Sequence, residues 1–103
     1  MKTTTKTEQK LYDALLKWVE SADSTPSDPE QGVVLTYQAD DGTLSFWQDF
    51  YEDDFEDLNF EDLVEAEEAI GYDTIAKAIL ENLKSKANYD EENVKNFIEY
   101  LES

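Results

Sequence analysis

The chain has 103 residues, the usual length of one domain and too short for two separate hydrophobic cores. Its formal net charge is −18, from 26 acidic residues against 8 lysines, and it contains no cysteine, histidine or arginine. These counts exclude disulfides, thiolate metal sites and histidine chemistry, while 40 % hydrophobic residues exclude a charged disordered tail. We therefore predict a single folded domain over residues 1–103.

The first predicted element is a helix. Residues 5–8 have the Thr-x-x-Glu form of a capping box, and apolar residues then recur at helical spacing. This pattern predicts a helix over about residues 6–22. Residues 23–32 hold both prolines of the chain among small polar residues, which indicates a loop.

A β-hairpin is predicted next. Strands over residues 33–38 and 43–48 flank Asp41 and Gly42, a dipeptide that suits a two-residue turn. This turn pairs Asp40 with Thr43. It also places one set of apolar side chains on a common face: Val33, Leu35, Tyr37, Ala39, Leu44 and Phe46. Trp47 then lies on the opposite, polar face, where it is either covered by a helix or exposed for a partner.

The rest of the chain reads as helical. Asn59 is the predicted N-cap of a helix that ends at Gly71 as its C′ residue. Asp73 and Asp90 are the predicted N-caps of two further helices. The predicted fold class is α+β: an N-terminal helix, a short antiparallel hairpin, then three to four C-terminal helices packed on one face.

The negative charge is segregated along the chain. Between Lys17 and Lys77 there are 59 residues with 18 acids and no basic residue, whereas the remaining eight lysines and eight acids balance. Eleven of these acids form an acidic cluster within residues 49–68. The cluster consists of Asp49, Glu52, Asp53, Asp54, Glu56, Asp57, Glu61, Asp62, Glu65, Glu67 and Glu68.

Two interpretations of the acidic cluster stay open. On a helix, Glu61, Glu65 and Glu68 share one stripe, and such an array resembles a row of phosphates that a basic groove accepts. The simpler alternative is a solvated face that keeps the protein soluble. In the first case Trp47 and Tyr51 are predicted as exposed anchors within the charged rim.

A calcium loop and an active site are both disfavoured. The spacing of Asp57, Asn59, Glu61 and Glu68 matches part of an EF-hand loop, but Asp62 occupies the position that needs glycine. No pair of carboxylates is distinguished by a motif, so we expect neither an enzyme nor a cofactor or metal site. Direct binding to nucleic acid or to an anionic membrane is opposed by the charge.

In composition the chain resembles the nucleic-acid-mimicking inhibitors of phages and mobile elements, including anti-restriction and anti-CRISPR proteins. The acidic stretch predicts an inhibitor whose partner is a basic nucleic-acid-binding protein or nuclease, an interpretation with which the resemblance agrees. The polar start of the chain and the absence of a long apolar run predict a cytoplasmic protein. No shared motif accompanies the resemblance, so it assigns no residues. The alternatives are an immunity protein or antitoxin that neutralises one basic toxin, and a non-inhibitory acidic adaptor domain.

Overall fold

The computed structural model describes residues 5–21, 32–51 and 69–103. These ranges contain helix α1 (Thr5–Ser21), strands β1 (Val33–Asp40) and β2 (Ser45–Tyr51), and helices α2 (Tyr72–Lys84) and α3 (Glu91–Glu102). The predicted α+β class is confirmed. After the hairpin the described ranges hold two complete helices, slightly fewer than predicted, and residues 69–70 are also helical. The loop predicted over 23–32, except Gly32, and the helix predicted from Asn59 lie outside the described residues.

Helix α1 forms where its periodic apolar residues predict it, displaced by one residue at each end. Its buried side chains, which recur every three or four residues, are Thr7, Leu11, Ala14, Leu15 and Val19. Two polar contacts attach the helix to its neighbours. The Thr7 hydroxyl donates to the Glu91 carboxylate in the first turn of α3, and Lys84 Nζ of α2 lies 3.1 Å from Glu8 Oε1. The stripe of buried residues therefore faces both later helices.

The hairpin register differs from the prediction by two residues. Asp40 pairs with Ser45, not with Thr43, and the ladder continues in that register to Leu35 opposite Phe50. The predicted two-residue turn was therefore wrong. Side chains alternate with a period of two, so a shift of two residues leaves every side chain on its predicted face. The predicted inner-face residues are all buried: Val33, Leu35, Tyr37, Ala39, Leu44 and Phe46.

Aspartate side chains explain the longer connection of four residues. Asp41 Oδ1 accepts hydrogen bonds from the backbone N–H groups of Thr43 at 2.8 Å and Leu44 at 2.5 Å. Asp40 Oδ1 accepts from the Gly42 N–H at 2.7 Å. These N–H groups are satisfied by carboxylates, so they need no strand partner and the ladder begins two residues later. A side-chain amide from the α2–α3 connection, that of Asn88, also donates to the Thr43 carbonyl.

The two predicted aspartate caps have different outcomes. Asp90 is the N-cap of α3, in extended backbone geometry, and its side chain accepts from the Asn93 N–H at 2.9 Å. The Asp73 prediction was wrong, because α2 begins at Tyr72 after Gly71 and has no side-chain cap. Gly71, the N-cap residue of α2, has φ 91° and ψ 133°, a backbone conformation that favours glycine, and Asp73 lies inside the first turn of α2.

The core lies between the inner face of the hairpin and the three helices. A chain of ring contacts crosses it, with Trp18 of α1 edge-on to both Tyr37 of β1 and Phe46 of β2. Phe46 in turn contacts Phe97 of α3 at a centroid distance of 6.1 Å. Phe97 then stacks on Tyr100 at 5.8 Å. This packing leaves the opposite face of the hairpin as the outer surface of the sheet.

Candidate interaction surface

Three of the twelve predicted partner-binding residues lie in the described ranges, and all three are on β2. Trp47, Asp49 and Tyr51 are spaced two residues apart, so their side chains share the outer face of the hairpin. Tyr51 lies four positions after Trp47 along the strand, which corresponds to roughly 13 Å between their Cα atoms. The other nine predicted residues lie outside the described ranges: Glu52, Asp53, Asp54, Glu56, Asp57, Glu61, Asp62, Glu65 and Glu68.

Asp49 organises the centre of this face. Its Oδ1 atom accepts a hydrogen bond from the Trp47 indole N–H at 3.1 Å and another from the Thr36 hydroxyl at 2.8 Å. Thr36 is the cross-strand partner of Asp49, so the second bond connects the two strands directly. Both bonds use Oδ1, which leaves Oδ2 able to accept from a further donor.

Exposed aromatic side chains accompany Asp49. Trp47 is 66 % exposed and Tyr51 is 42 % exposed. Of the two alternatives predicted for Trp47, covered by a helix or exposed to solvent, the second is therefore correct. Tyr100 of α3 is also 42 % exposed, and these three are the exposed large hydrophobic residues of the described ranges. Tyr100 was not predicted from the sequence as a partner-binding residue. Its position outside the apolar stripe of α3, which includes Phe97 and Leu101, was the available signal.

Trp47 and Tyr100 line one shallow groove. The groove runs from the outer face of the hairpin to the C-terminal turn of α3, and we call it the Trp47–Tyr100 groove. Its lining residues are Gln38, Ala39, Asp40, Ser45, Phe46, Trp47, Lys86 and Tyr100. Two exposed rings, one carboxylate and one ammonium group therefore converge on a single concave surface that could admit a partner side chain.

Charge is divided between the hairpin and the helices. The hairpin carries Asp40, Asp41 and Asp49 and no lysine. Every lysine in the described ranges lies on a helix or in the α2–α3 connection: Lys6, Lys10, Lys17, Lys77, Lys84, Lys86 and Lys95. The segregation seen along the sequence thus persists in the part of the fold that is described, with the acidic side at the sheet.

A second groove, between α1 and α3, has no such bias. It is lined by three lysines and three acids: Lys10, Lys17 and Lys95 with Asp13, Glu99 and Glu102. These charges balance, and the described residues of its lining include no aromatic ring, unlike those of the Trp47–Tyr100 groove. Within residues 5–21, 32–51 and 69–103, no group of three or more acidic side chains is arranged to hold a metal ion.

Comparison with known proteins adds no relative. The chain matches no protein-family model, and no curated protein or solved structure is significantly similar to it. None of the described helices is long and apolar enough to cross a membrane.

Proposed function

We propose that this protein is an acidic inhibitor that occupies the basic nucleic-acid-binding site of another protein by mimicking nucleic acid. The observation that carries the proposal is the stretch of 59 residues with 18 acids and no basic residue. It would serve a phage or mobile element as an anti-defence protein, for example with anti-restriction or anti-CRISPR activity. It would act in the cytoplasm, where such targets bind DNA, and it would perform no catalysis.

The concentrated negative charge of this stretch destabilises the folded protein. Like charges concentrated in one segment repel one another and oppose the compact state, so solubility alone does not require them. A net charge of magnitude about 2–8 suffices for a small domain, whereas this chain has −18. A basic cleft that binds DNA meets about one phosphate charge per 1.7 Å of duplex, and clustered carboxylates offer it the same sign and the same hydrogen-bond acceptors.

The described part of the molecule supports the same direction of binding. Asp49 accepts a hydrogen bond from the exposed Trp47 on the outer face of the hairpin, Asp40 lines the groove beside Trp47, and of the described lysines only Lys86 reaches that groove. Carboxylates at the rim steer a positive partner during association. An aromatic ring supplies apolar contact area that charge alone does not provide. A surface with both features can attract a basic protein and also retain it.

The test compares two triple variants with equal net charge. One replaces Glu61, Glu65 and Glu68 of the acidic cluster with glutamine. The matched control makes the same replacement at three exposed glutamates of α3, Glu92, Glu99 and Glu102. Each variant and the wild type are immobilised, incubated with host lysate at low salt, and eluted with salt. The captured proteins are identified, and binding of each purified target is then measured with and without a duplex DNA competitor.

We expect the wild type and the control to retain nucleic-acid-binding proteins, to release them as salt rises, and to lose them to DNA. The cluster variant should bind at least tenfold more weakly, because each charge-assisted hydrogen bond contributes about 1.5–3 kcal/mol. Capture of neutral or acidic proteins alone would contradict the proposal. Tight binding of one basic toxin without competition by DNA would instead identify an immunity protein.

A further inference from the structure

We propose that the Trp47–Tyr100 groove is an arginine-binding site, which receives the guanidinium group of a basic partner on a surface lined by the rings of Trp47 and Tyr100. This inference rests on the proposed function for the nature of the partner, a basic protein. It adds the residue type that the surface recognises and a residue, Tyr100, outside the acidic stretch. The occupant is one arginine side chain, presented by an exposed segment of that partner.

Both rings are held in place although they are exposed. The Trp47 indole N–H donates to Asp49 Oδ1 at 3.1 Å, and Asp49 is itself fixed by the Thr36 hydroxyl. Tyr100 stacks on Phe97 with an interplanar angle of 24°. Phe97 is fully buried and contacts Phe46, whose strand also carries Trp47. Because both rings are already restrained, binding of a partner side chain to them costs little additional side-chain ordering.

The charge of Asp40 in the lining is offset by that of Lys86, so the preference for a cation comes from Asp49 and from the net charge of the chain. Asp40 lines the groove, and Asp49 lies beside Trp47 on the same outer face. Among the described residues that line the groove, Lys86 is the one basic side chain, so it opposes a cation and its removal should strengthen binding. The net charge of −18 adds a long-range attraction for positive groups. An anionic ligand would meet this field and both carboxylates with only one ammonium group to favour it.

Arginine fits this geometry better than lysine. Its guanidinium group is planar and weakly hydrated, stacks on aromatic faces, and can donate two parallel hydrogen bonds to one carboxylate. A lysine ammonium is a strongly hydrated point charge and lacks a plane to stack. Trp47 and Tyr100 supply the aromatic faces, and Asp40 supplies a carboxylate at the edge of the groove.

The experiment uses the full chain and three short peptides of equal length: one with alternating arginine and serine, one with lysine in place of arginine, and one uncharged. Binding is followed by the NMR resonances of the two indole N–H groups. Trp47 reports on the groove, whereas Trp18, which packs against Tyr37 and Phe46, serves as the internal reference. We expect a shift at Trp47, none at Trp18, and arginine binding roughly two- to fivefold tighter than lysine.

Four variants test the residues. Tyr100→Ala should abolish the preference for arginine, whereas Tyr12→Ala is the control, because Tyr12 is a partly exposed tyrosine of α1 that does not line the groove. Asp40→Asn should weaken binding of the arginine peptide, and Lys86→Gln should strengthen it. The substituted side chains are partly or fully exposed, and circular dichroism confirms that each variant is folded.

Three results would overturn the proposed arginine site. The first is equal affinity for the arginine and lysine peptides, and the second is an arginine preference that survives Tyr100→Ala. Equal binding of the uncharged peptide would show that the rings act as a plain apolar contact and would also overturn it. None of these results affects the inhibitor proposal, which is tested by capture and DNA competition. Conversely, arginine selectivity without capture of any nucleic-acid-binding protein would overturn the inhibitor proposal and leave the groove established.

Discussion

The indole N–H of Trp47 lies 3.1 Å from Oδ1 of Asp49, two residues away on the same face of β2. Since Asp49 also accepts from Thr36 on the neighbouring strand, the orientation of an exposed tryptophan depends on a hydrogen bond across the hairpin. An exposed ring with a fixed orientation is suited to binding, because less rotamer freedom is lost when a partner docks.

The first prediction concerns this hydrogen bond across the strands. Thr36→Val should lower the free energy of unfolding by about 0.5–1.5 kcal/mol, since it removes the hydroxyl donor to Asp49 from a buried position while keeping a similar shape. Urea unfolding measures the change. Ser45→Val is the control on the same face, where the side chain is exposed. Equal effects at the two positions would show that the Thr36 bond contributes nothing specific.

The second prediction separates the two aspartates that the sequence presents as helix caps. Asp90→Ala should destabilise the protein by about 0.5–2 kcal/mol, because the Asn93 N–H loses its acceptor at the start of α3. Asp90→Ser should recover most of this loss. Asp73→Ala should have a smaller effect, because Asp73 caps nothing and its contact with Lys77 is an exposed pair at 3.9 Å. Similar losses at both sites would contradict the assignment.

The third prediction concerns Gly71. Gly71→Ala should cost about 1–3 kcal/mol, because φ of 91° is unfavourable for any residue with a Cβ atom. The new Cβ would also lie 3.1 Å from Asp73 Oδ1. Thermal or urea unfolding of the double variant Gly71→Ala, Asp73→Ala distinguishes the two causes. Backbone strain predicts that the double variant keeps most of the loss, whereas full recovery would assign the cost to the side-chain contact.

The fourth prediction concerns the ion pair between α1 and α2. The hydrogen bond and the charge of Glu8 raise the pKa of Lys84 above its usual value of 10.5. A raised lysine pKa stabilises the folded state fully below the unfolded value and loses that contribution as pH rises through the folded value. The stability difference between the wild type and Lys84→Met should therefore be constant up to about pH 10 and shrink above it.

The matched control for this pair is Lys77→Met, because the Lys77 side chain is more exposed than that of Lys84 and its pair with Asp73 is longer. Urea unfolding of the wild type and both variants is measured at pH 7, 9 and 11. A Lys84→Met difference that grows at pH 11 would contradict the assigned direction of the pKa shift.

The hairpin shows how far local sequence patterns reach. Alternation of apolar and polar residues identified the buried face correctly, because the side-chain period of a strand is two and does not depend on register. The prediction of a two-residue turn was wrong because it considered only the backbone conformations that Asp41 and Gly42 favour. Asp41 acts through its side chain, which binds two N–H groups and lengthens the connection. A dipeptide preference does not contain that information.

The helix ends show the same limit. Asp90 was predicted correctly because an N-cap needs only its own side chain and an N–H three residues later. Asp73 has equally suitable chemistry, but the N-cap of α2 is Gly71, two residues earlier, which places Asp73 inside the first turn. The residues of the candidate site also divide into those that local sequence identifies and those that it does not. Trp47 and Tyr51 were selected from the sequence, whereas Tyr100 was not, because it lies about 50 residues away on a different element.

The sequence by itself determined the α+β class, the inner face of the hairpin, the helical stripes and the segregation of charge, since each of these depends on residue type and short-range periodicity. Only the tertiary structure decided that Trp47 is exposed, that Asp49 orients it, and that Tyr100 shares its groove. These relationships depend on how α3 packs against the hairpin through Phe97 and Phe46, and contacts between distant segments leave no periodic signal in the chain.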